Sequence, residues 1–388
     1  MTQPNGESTP FELMVQVLDE NGFGGMAHAI QILVNEAMKI ERNEVLGAEP
    51  YQRTEQRRGY ANGFKPKTLD TRVGKIELQV PQTRGVEFYP KSLERGVRSE
   101  RALKLALAEM YVQGISTRKV TQVTSELCGL DVSSSQVSRA AKLLDEELES
   151  WRTRPLGKVT CLLVDARYEK VRHGGSVIDC AVLVATGILS DGKRTVLGVS
   201  VSLSEAEVHW REFFASLVER GLYGVELITS DAHEGLKAAR KAVFPGVPWQ
   251  RCQFHLQQNA RQYVPKVEMR SEVAADMRSI FNAPDGNEAD RLLNKTVDKY
   301  CQSAPKLADW MQQAVPEGLT VFARPASQRK RLRTSNMPER LNEEIKRRTR
   351  VATLFPNEAS LLRLVSAVLA ETDDQWQTGT IYLQLQSQ

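Results

Sequence analysis

The chain lacks the features that mark secreted, membrane-spanning and fibrous proteins. Its five cysteines, Cys128, Cys161, Cys180, Cys252 and Cys301, are odd in number and scattered over 388 residues, which argues against a disulfide scaffold. No long apolar run is present. The longest, residues 180–189, is interrupted by Thr186 and Gly187 and falls well short of the roughly 20 residues of a membrane helix. It reads as a buried strand, and no membrane partner is expected. The opening residues show no basic-then-apolar leader, so a cytoplasmic, nucleoid-associated protein is expected. Net charge is small, +4, and solubility accounts for it as readily as nucleic-acid binding does. The position of the charge must therefore decide. No phosphate-cradling glycine loop and no nucleophilic triad stand out.

What is present suits a globular protein: 41% hydrophobic and 26% charged residues give ample apolar surface to bury. A chain of this length exceeds one ordinary core, and two or three folded domains are expected. Residues 1–98 read as a helical start followed by a basic stretch, with Arg57, Arg58, Lys65, Lys67 and Arg72 interleaved with Tyr51, Tyr60 and Phe64. A short strand over residues 75–80 follows. This segment is a candidate for DNA binding and dimerisation. Residues 99–153 contain three helices separated by turns at Gly114 and Gly129. The last two form a helix-turn-helix candidate that would present Ser135, Gln136, Arg139 and Lys142 to a major groove. A plain helical bundle is the alternative.

At Arg154 and Pro155 the periodicity changes to strands. Apolar runs at 159–164, 177–189 and 195–203 are separated by His173-Gly174-Gly175 and Asp191-Gly192, turn signals for a meander. A helix bearing Trp210, Phe213 and Phe214 leads to a fourth strand at 225–229. A helix from about 235 to 244 leads to a fifth near 249–254. This order predicts an α/β fold with an RNase H-like mixed five-stranded sheet. Its first part would span 154–256, an all-helical insertion 257–330, and the second part, with a C-terminal helix, 331–388.

Asp165 ends a run of Val, Thr, Cys and Leu, where a buried charge requires compensation. Asp231 follows the fourth strand, and in an open sheet the carboxyl ends of strands form the ligand crevice. In the predicted order strands one and four are neighbours, so both acids reach one divalent cation. A third carboxylate would come from the returning helix, where Glu339, Glu343 and Glu344 are available. Glu339 is preferred because it precedes Lys346-Arg347-Arg348 by about two turns. Residues 329–350 hold nine Lys or Arg against three Glu, a local +6 that exceeds the whole chain's +4. That concentration suits a phosphate track, with Arg340, Lys346, Arg347 and Arg348 as DNA contacts. Cys252 and His255 form a C-x-x-H pair, but a structural zinc needs four ligands and no second pair is suitably spaced, so packing is the preferred role. His233 is a possible accessory to metal or water. Trp210 reads as core, or as a stacking platform for an unpaired base.

With these residues in hand, the sequence resembles the Mutator-type transposases of bacterial insertion sequences. The resemblance runs from about residue 38 to 369. Its motifs are Val164-Asp165-Ala166-Arg167-Tyr168, Ser230-Asp231-Ala232-His233-Glu234-Gly235-Leu236, Trp249-Gln250-Arg251-Cys252-Gln253-Phe254-His255, and Glu339-Arg340-Leu341-Asn342-Glu343-Glu344-Ile345-Lys346-Arg347-Arg348. The resemblance implies an RNase H-like catalytic domain interrupted by a helical insertion, and N-terminal segments that recognise inverted-repeat ends. It also implies a DDE acid triad on Asp165, Asp231 and Glu339, with Lys346 as the associated basic residue and the family's C-x-x-H feature on Cys252 and His255. The expected chemistry is DNA cleavage and strand transfer with Mg²⁺, Mn²⁺ being a possible substitute. Joined or circular intermediates are expected, and a homodimer that holds both ends. A nuclease or resolvase that cuts without joining, and a non-catalytic helix-turn-helix regulator, are the alternatives.

Overall fold

The computed structural model describes residues 9–93, 95, 98–350 and 354–385. Chain packing divides into two units, Met1–Leu143 and Leu144–Gln388.

In the first unit, Thr9 and Glu12 cap each other reciprocally and start α1 (Pro10–Asn21), satisfying amides that have no partner inside the helix. After a 3₁₀ turn, α2 (Met26–Leu46) ends at Gly47, whose left-handed φ of 66° suits glycine. α2 lies on a two-stranded antiparallel ribbon of β1 (Tyr60–Thr71) and β2 (Gly74–Arg84). Alternation along β2 turns Ile76, Leu78 and Val80 inward against Met38. The expected strand at 75–80 is thus the centre of a longer one. Its partner β1 was hidden in the basic stretch because Gly63 and Pro66 interrupt its pattern. Proline is tolerated on such an edge. Next come α3 (Arg101–Val112), α4 (Thr117–Cys128) and α5 (Ser134–Ala141). Leu103, Leu107, Val120, Leu130, Val132 and Val137 form their common core.

The second unit opens with α6 (Asp145–Thr153) and contains a five-stranded sheet of β3 (Val159–His173), β4 (Ser176–Leu189), β5 (Arg194–Ser202), β6 (Leu227–Ser230) and β7 (Trp249–Arg251). The order is β5-β4-β3-β6-β7. β3, β4 and β5 pair antiparallel, while β6 runs parallel to both β3 and β7. The architecture is therefore mixed α/β. The predicted fifth strand stops early: the Cys252 amide still bonds to Ser230, but α9 (Gln253–Ala260) begins immediately after it.

On one face of the sheet lie α7 (Glu207–Glu219) and α8 (Glu234–Val243). Trp210, Phe213, Phe214 and Leu217 pack there against Leu162, Val164 and Leu183. Trp210 is fully buried in that core. Between β7 and the returning chain, α10 (Arg270–Phe281), α11 (Gly286–Tyr300), α12 (Pro305–Ala314) and α13 (Ala326–Leu332) follow α9. Val273, Met277, Leu293, Leu307 and Met311 give this helical insertion its own core. The chain then returns as α14 (Asn336–Thr349) and α15 (Glu358–Thr378). Among the described residues, no helix is long and apolar enough to cross a membrane.

The unit boundary precedes Leu144, earlier than the Arg154-Pro155 step in periodicity. The physical reason is that α6 is tied to α15: Arg363 pairs with Asp145, and Arg152 donates to Ser366 at 2.9 Å. α15 also covers the edge strand. Asp373, 2% exposed, accepts the Val196 amide at 2.8 Å, the Thr195 hydroxyl at 2.9 Å and Arg154 Nη2 at 2.8 Å. Asp373→Ala removes the anionic partner of a half-buried guanidinium, which keeps its bonds to the Trp151 and Val196 carbonyls, and leaves the Val196 edge amide and the Thr195 hydroxyl without their acceptor. The expected cost is about 3 kcal/mol or more, read as a lower urea-unfolding midpoint, with Asp373→Asn less damaging because an acceptor remains.

Candidate active site

The sheet register brings the first two acids to one level. β3 and β6 are paired at Leu163 and Thr229, and Asp165 and Asp231 each stand two residues farther along. Asp165 is 8% exposed, in the interior of β3 between buried Val164 and half-buried Ala166. Asp231 follows the last residue of β6, where its Oδ1 accepts the His233 amide at 3.3 Å. That local turn starts α8, whose Gly235 packs closely: a Cβ there would lie 2.4 Å from the Glu205 carbonyl oxygen.

The returning helix is fastened to the same strand ends. Thr229 donates its hydroxyl to the Leu332 carbonyl at 2.8 Å, the Gln253 amide bonds to the Arg333 carbonyl at 3.0 Å, and the Ser335 amide donates to Cys252 Sγ at 3.4 Å. These contacts set the N-terminus of α14 beside the acids, with Glu339 in its first turn. Ser335 Oγ donates to Glu339 Oε1 at 2.8 Å. Three residues on, and on the same helix face, Asn342 Nδ2 donates to Asp165 Oδ2 at 2.7 Å. Arg167 of β3 donates to the Asn342 carbonyl, and Thr349 donates to Glu169 at 3.0 Å. α14 is thereby pinned along β3.

The groups also act on one another through burial and charge. Burial, above all, lifts the Asp165 carboxyl to about 7, and the charges of Asp231 and Glu339 push the same way, against His255 and the Asn342 hydrogen bond. The neighbouring Cys252 sulfur, the largest influence, pushes the His255 imidazole up to about 9 despite burial, with help from Asp165 and Asp231. A fourth acid lies close by. Glu205, 9% exposed, is raised chiefly by burial and also by Asp231, with His233 opposing; its Oε2 is 3.9 Å from His233 Nδ1.

Asp231 and Glu339 thus lie near enough to Asp165 to act on its charge, and Glu339 closes a tighter group with Cys252 and His255, whose ligand atoms all lie within 4.8 Å of one another. Glu344 does not join them: it bonds to Arg347 and Arg348, which hold its carboxyl at about 2. Glu343 is exposed to solvent. Among the expected phosphate contacts, Arg340, Lys346 and Arg347 are exposed. Arg348 is not a surface cation. It is 5% exposed and bound between Glu344 and Glu371, because the helix turns it inward toward two carboxylates. Much of the basic run also has internal partners: Arg329 donates to the Pro284 carbonyl, Arg333 to the Phe281 carbonyl, and Arg331 stacks on Tyr382. In the first unit, Arg139 and Lys142 are exposed. Gln136 caps α5 reciprocally with Ser133, and Lys142 falls in the 3₁₀ turn that ends it.

Asn342, Ser335, Glu205 and Arg167 were not singled out from sequence. The one available signal was spacing: Asn342 lies one turn beyond Glu339, on the same face.

A family model described as "Transposase, Mutator family" matches residues 9–379. The chain is 59% identical over 379 residues to the transposase for insertion sequence element IS406 of Burkholderia multivorans, covering 97% of this chain and 98% of that one. It is 43% identical to the transposase for ISRM5 of Rhizobium meliloti, over 93% of this chain and 91% of the relative. To the transposase for IS256 in transposon Tn4001 of Staphylococcus aureus it is 38% identical, over 88% of each chain. A match that spans nearly every residue, the acid-bearing strands and returning helix included, places the chain in the Mutator family of transposases.

Proposed function

We propose that the chain is an insertion-sequence transposase that cuts DNA at the inverted-repeat ends of its element and transfers the freed strand to a target. The observation that carries this reading is the register that sets Asp165, in the interior of β3, level with Asp231 just past β6, with Glu339 one turn before Asn342, the donor to Asp165, on α14. The sheet order, with three antiparallel strands followed by two parallel ones, supports an RNase H-like assignment of the second unit. Exposed Arg139 and Lys142 near the end of α5 support a helix-turn-helix reader in the first.

The acid cluster fits a hard divalent cation. Asp165 is buried among like charges, and Asn342 Oδ1 is a buried acceptor without a hydrogen-bond partner among the described residues. Oxygen donors of this kind suit Mg²⁺, with Mn²⁺ as a substitute. Asp165, Asp231 and Glu339 would hold the ions, which when bound supply Lewis-acid activation of a water or 3′-hydroxyl and stabilisation of the leaving oxygen. The protein's own part is positional. Asn342 fixes the orientation of Asp165, Ser335 fixes Glu339, and the His233 amide fixes Asp231. Arg340 and Lys346, exposed on α14, attract the phosphate backbone, where cation–phosphate contacts release counterions. Both ends must be held at once for coupled joining, so a homodimer is the proposed assembly.

The direct test incubates protein, Mg²⁺, labelled element ends and a target plasmid. Asp165→Asn, Asp231→Asn and Glu339→Gln are each expected to lower cleavage by about 10²- to 10³-fold, equivalent to several kcal/mol of lost transition-state stabilisation, while end binding persists. Glu343→Gln is expected to cleave normally. Cut ends with no joined product would restrict the activity to hydrolysis, and full cleavage by Glu339→Gln would overturn the assignment.

Titration offers a second test. An unfolded aspartate ionises near 3.9, whereas folded Asp165 keeps its proton to about 7. Between those values the folded state binds more protons than the unfolded state, so the contribution of Asp165 to stability declines as pH rises through this window. The full loss above it is roughly 4 kcal/mol. Metal-free protein should therefore lose stability from pH 4 to 7 more steeply than Asp165→Asn does, and Mg²⁺ should restore it above pH 7. Identical pH slopes for the two proteins would contradict the buried-acid assignment.

A further inference from the structure

Cys252 and His255 are one helical turn apart at the start of α9, and the third member of their group comes from the returning helix. One ligand atom each from Cys252, His255 and Glu339 lies within 4.8 Å of the other two. Cys252 Sγ stands 3.9 Å from Glu339 Oε1. Cys252 itself is fully buried, and His255 Nδ1 is buried without a hydrogen-bond partner among the described residues. The Ser335 amide approaches the same sulfur, and the Ser335 hydroxyl the same carboxylate oxygen, so two of the three donors are already oriented.

A thiolate, an imidazole and a carboxylate are a poor set for Mg²⁺ and a good one for Zn²⁺ or Co²⁺. With metal–ligand distances of about 2.3 Å for sulfur and about 2.0–2.2 Å for oxygen, tetrahedral geometry puts the two ligand atoms about 3.5 Å apart. The observed separation requires only a small inward movement. We propose that Cys252, His255 and Glu339 form a site for a thiophilic divalent cation such as Zn²⁺, with a fourth position open and Glu339 shared with the acid cluster. The packing role assigned to the C-x-x-H pair from sequence rested on a missing partner, and Glu339 supplies one from a distant part of the chain. Sharing has a consequence that rests on the proposed transposase reading: a zinc-loaded chain has Glu339 engaged elsewhere, so Zn²⁺ antagonises Mg²⁺-dependent cleavage.

The test is a Co²⁺ titration of the full chain, followed by competition with Zn²⁺. A sulfur-to-cobalt charge-transfer band in the near ultraviolet, displaced by Zn²⁺, is expected. Changes in the surroundings of metal ligands already cost about 10- to 100-fold in affinity, so Cys252→Ser is expected to abolish the band and weaken binding by about 100-fold or more. His255→Gln and Glu339→Gln should weaken binding at least about tenfold by the same reasoning, while Cys301→Ser, at an exposed cysteine, leaves the band intact. X-ray absorption on the zinc-loaded unmodified chain needs no variant to fold, and should show one sulfur with nitrogen or oxygen neighbours. A first shell of oxygen and nitrogen only, or a band that survives Cys252→Ser, would overturn the site. Binding through Cys252 by a chain that, freed of zinc and supplied with Mg²⁺, neither cuts nor joins element ends would leave the site standing and defeat the transposase reading. DNA joining by a chain without a sulfur ligand would do the reverse.

Discussion

The second unit is organised around one uncomfortable charge. Asp165 sits in the middle strand of the sheet, buried, with two further carboxylates acting on it. A carboxylate in that position loses most of its hydration, and the core cannot replace it. Three things offset the cost: the Asn342 amide, the positive His255, and a proton retained up to near neutrality. The first two come from other elements. Asn342 brings α14, His255 brings α9, and the retained proton marks a place where a cation can substitute.

The helical insertion is best understood from this constraint. α14 is separated in sequence from α9 by a body with its own core, yet its first turn must land beside Cys252. Contacts from Leu332, Arg333 and Ser335 to Thr229, Gln253 and Cys252 make that landing independent of what lies between. A long excursion costs little extra closure entropy, because the cost grows only with the logarithm of loop length. An insertion can thus be accommodated without moving Glu339.

The strands were legible where burial is two-sided. β3 and β4 read as apolar runs because neighbouring strands cover both edges and packed layers cover both faces. β1 was obscured by Gly63 and Pro66, residues an edge strand tolerates but a pattern search penalises. The end of β7 was misplaced because Cys252 and Phe254 continue an apolar pattern that the backbone has already left for a helix. For the site, Asp231 was legible as an acid just past a strand, whereas Asp165, expected at the end of its strand, stands inside β3, which continues to His173 because β4 pairs with it that far. The roles of Glu343 and Glu344 were not separable from that of Glu339, since all three share one helix and differ only in which way they face. Arg348 misled for the same reason: a basic run looks solvated until the fold shows which member is turned inward.

Local chemistry written in the chain determined the elements themselves: the caps, the apolar strands, the placement of Asp165 after an apolar run and of Asp231 after β6, and the pairing of Cys252 with His255 along one helical turn. These depend on neighbours a few residues away, and sequence records neighbours directly. Tertiary structure alone decided that Glu339 meets Cys252 and His255, that Asn342 holds Asp165, and that α6 belongs with α15. Those encounters join residues far apart in the chain, and hydrogen bonds and burial settle them only after the whole second unit has packed.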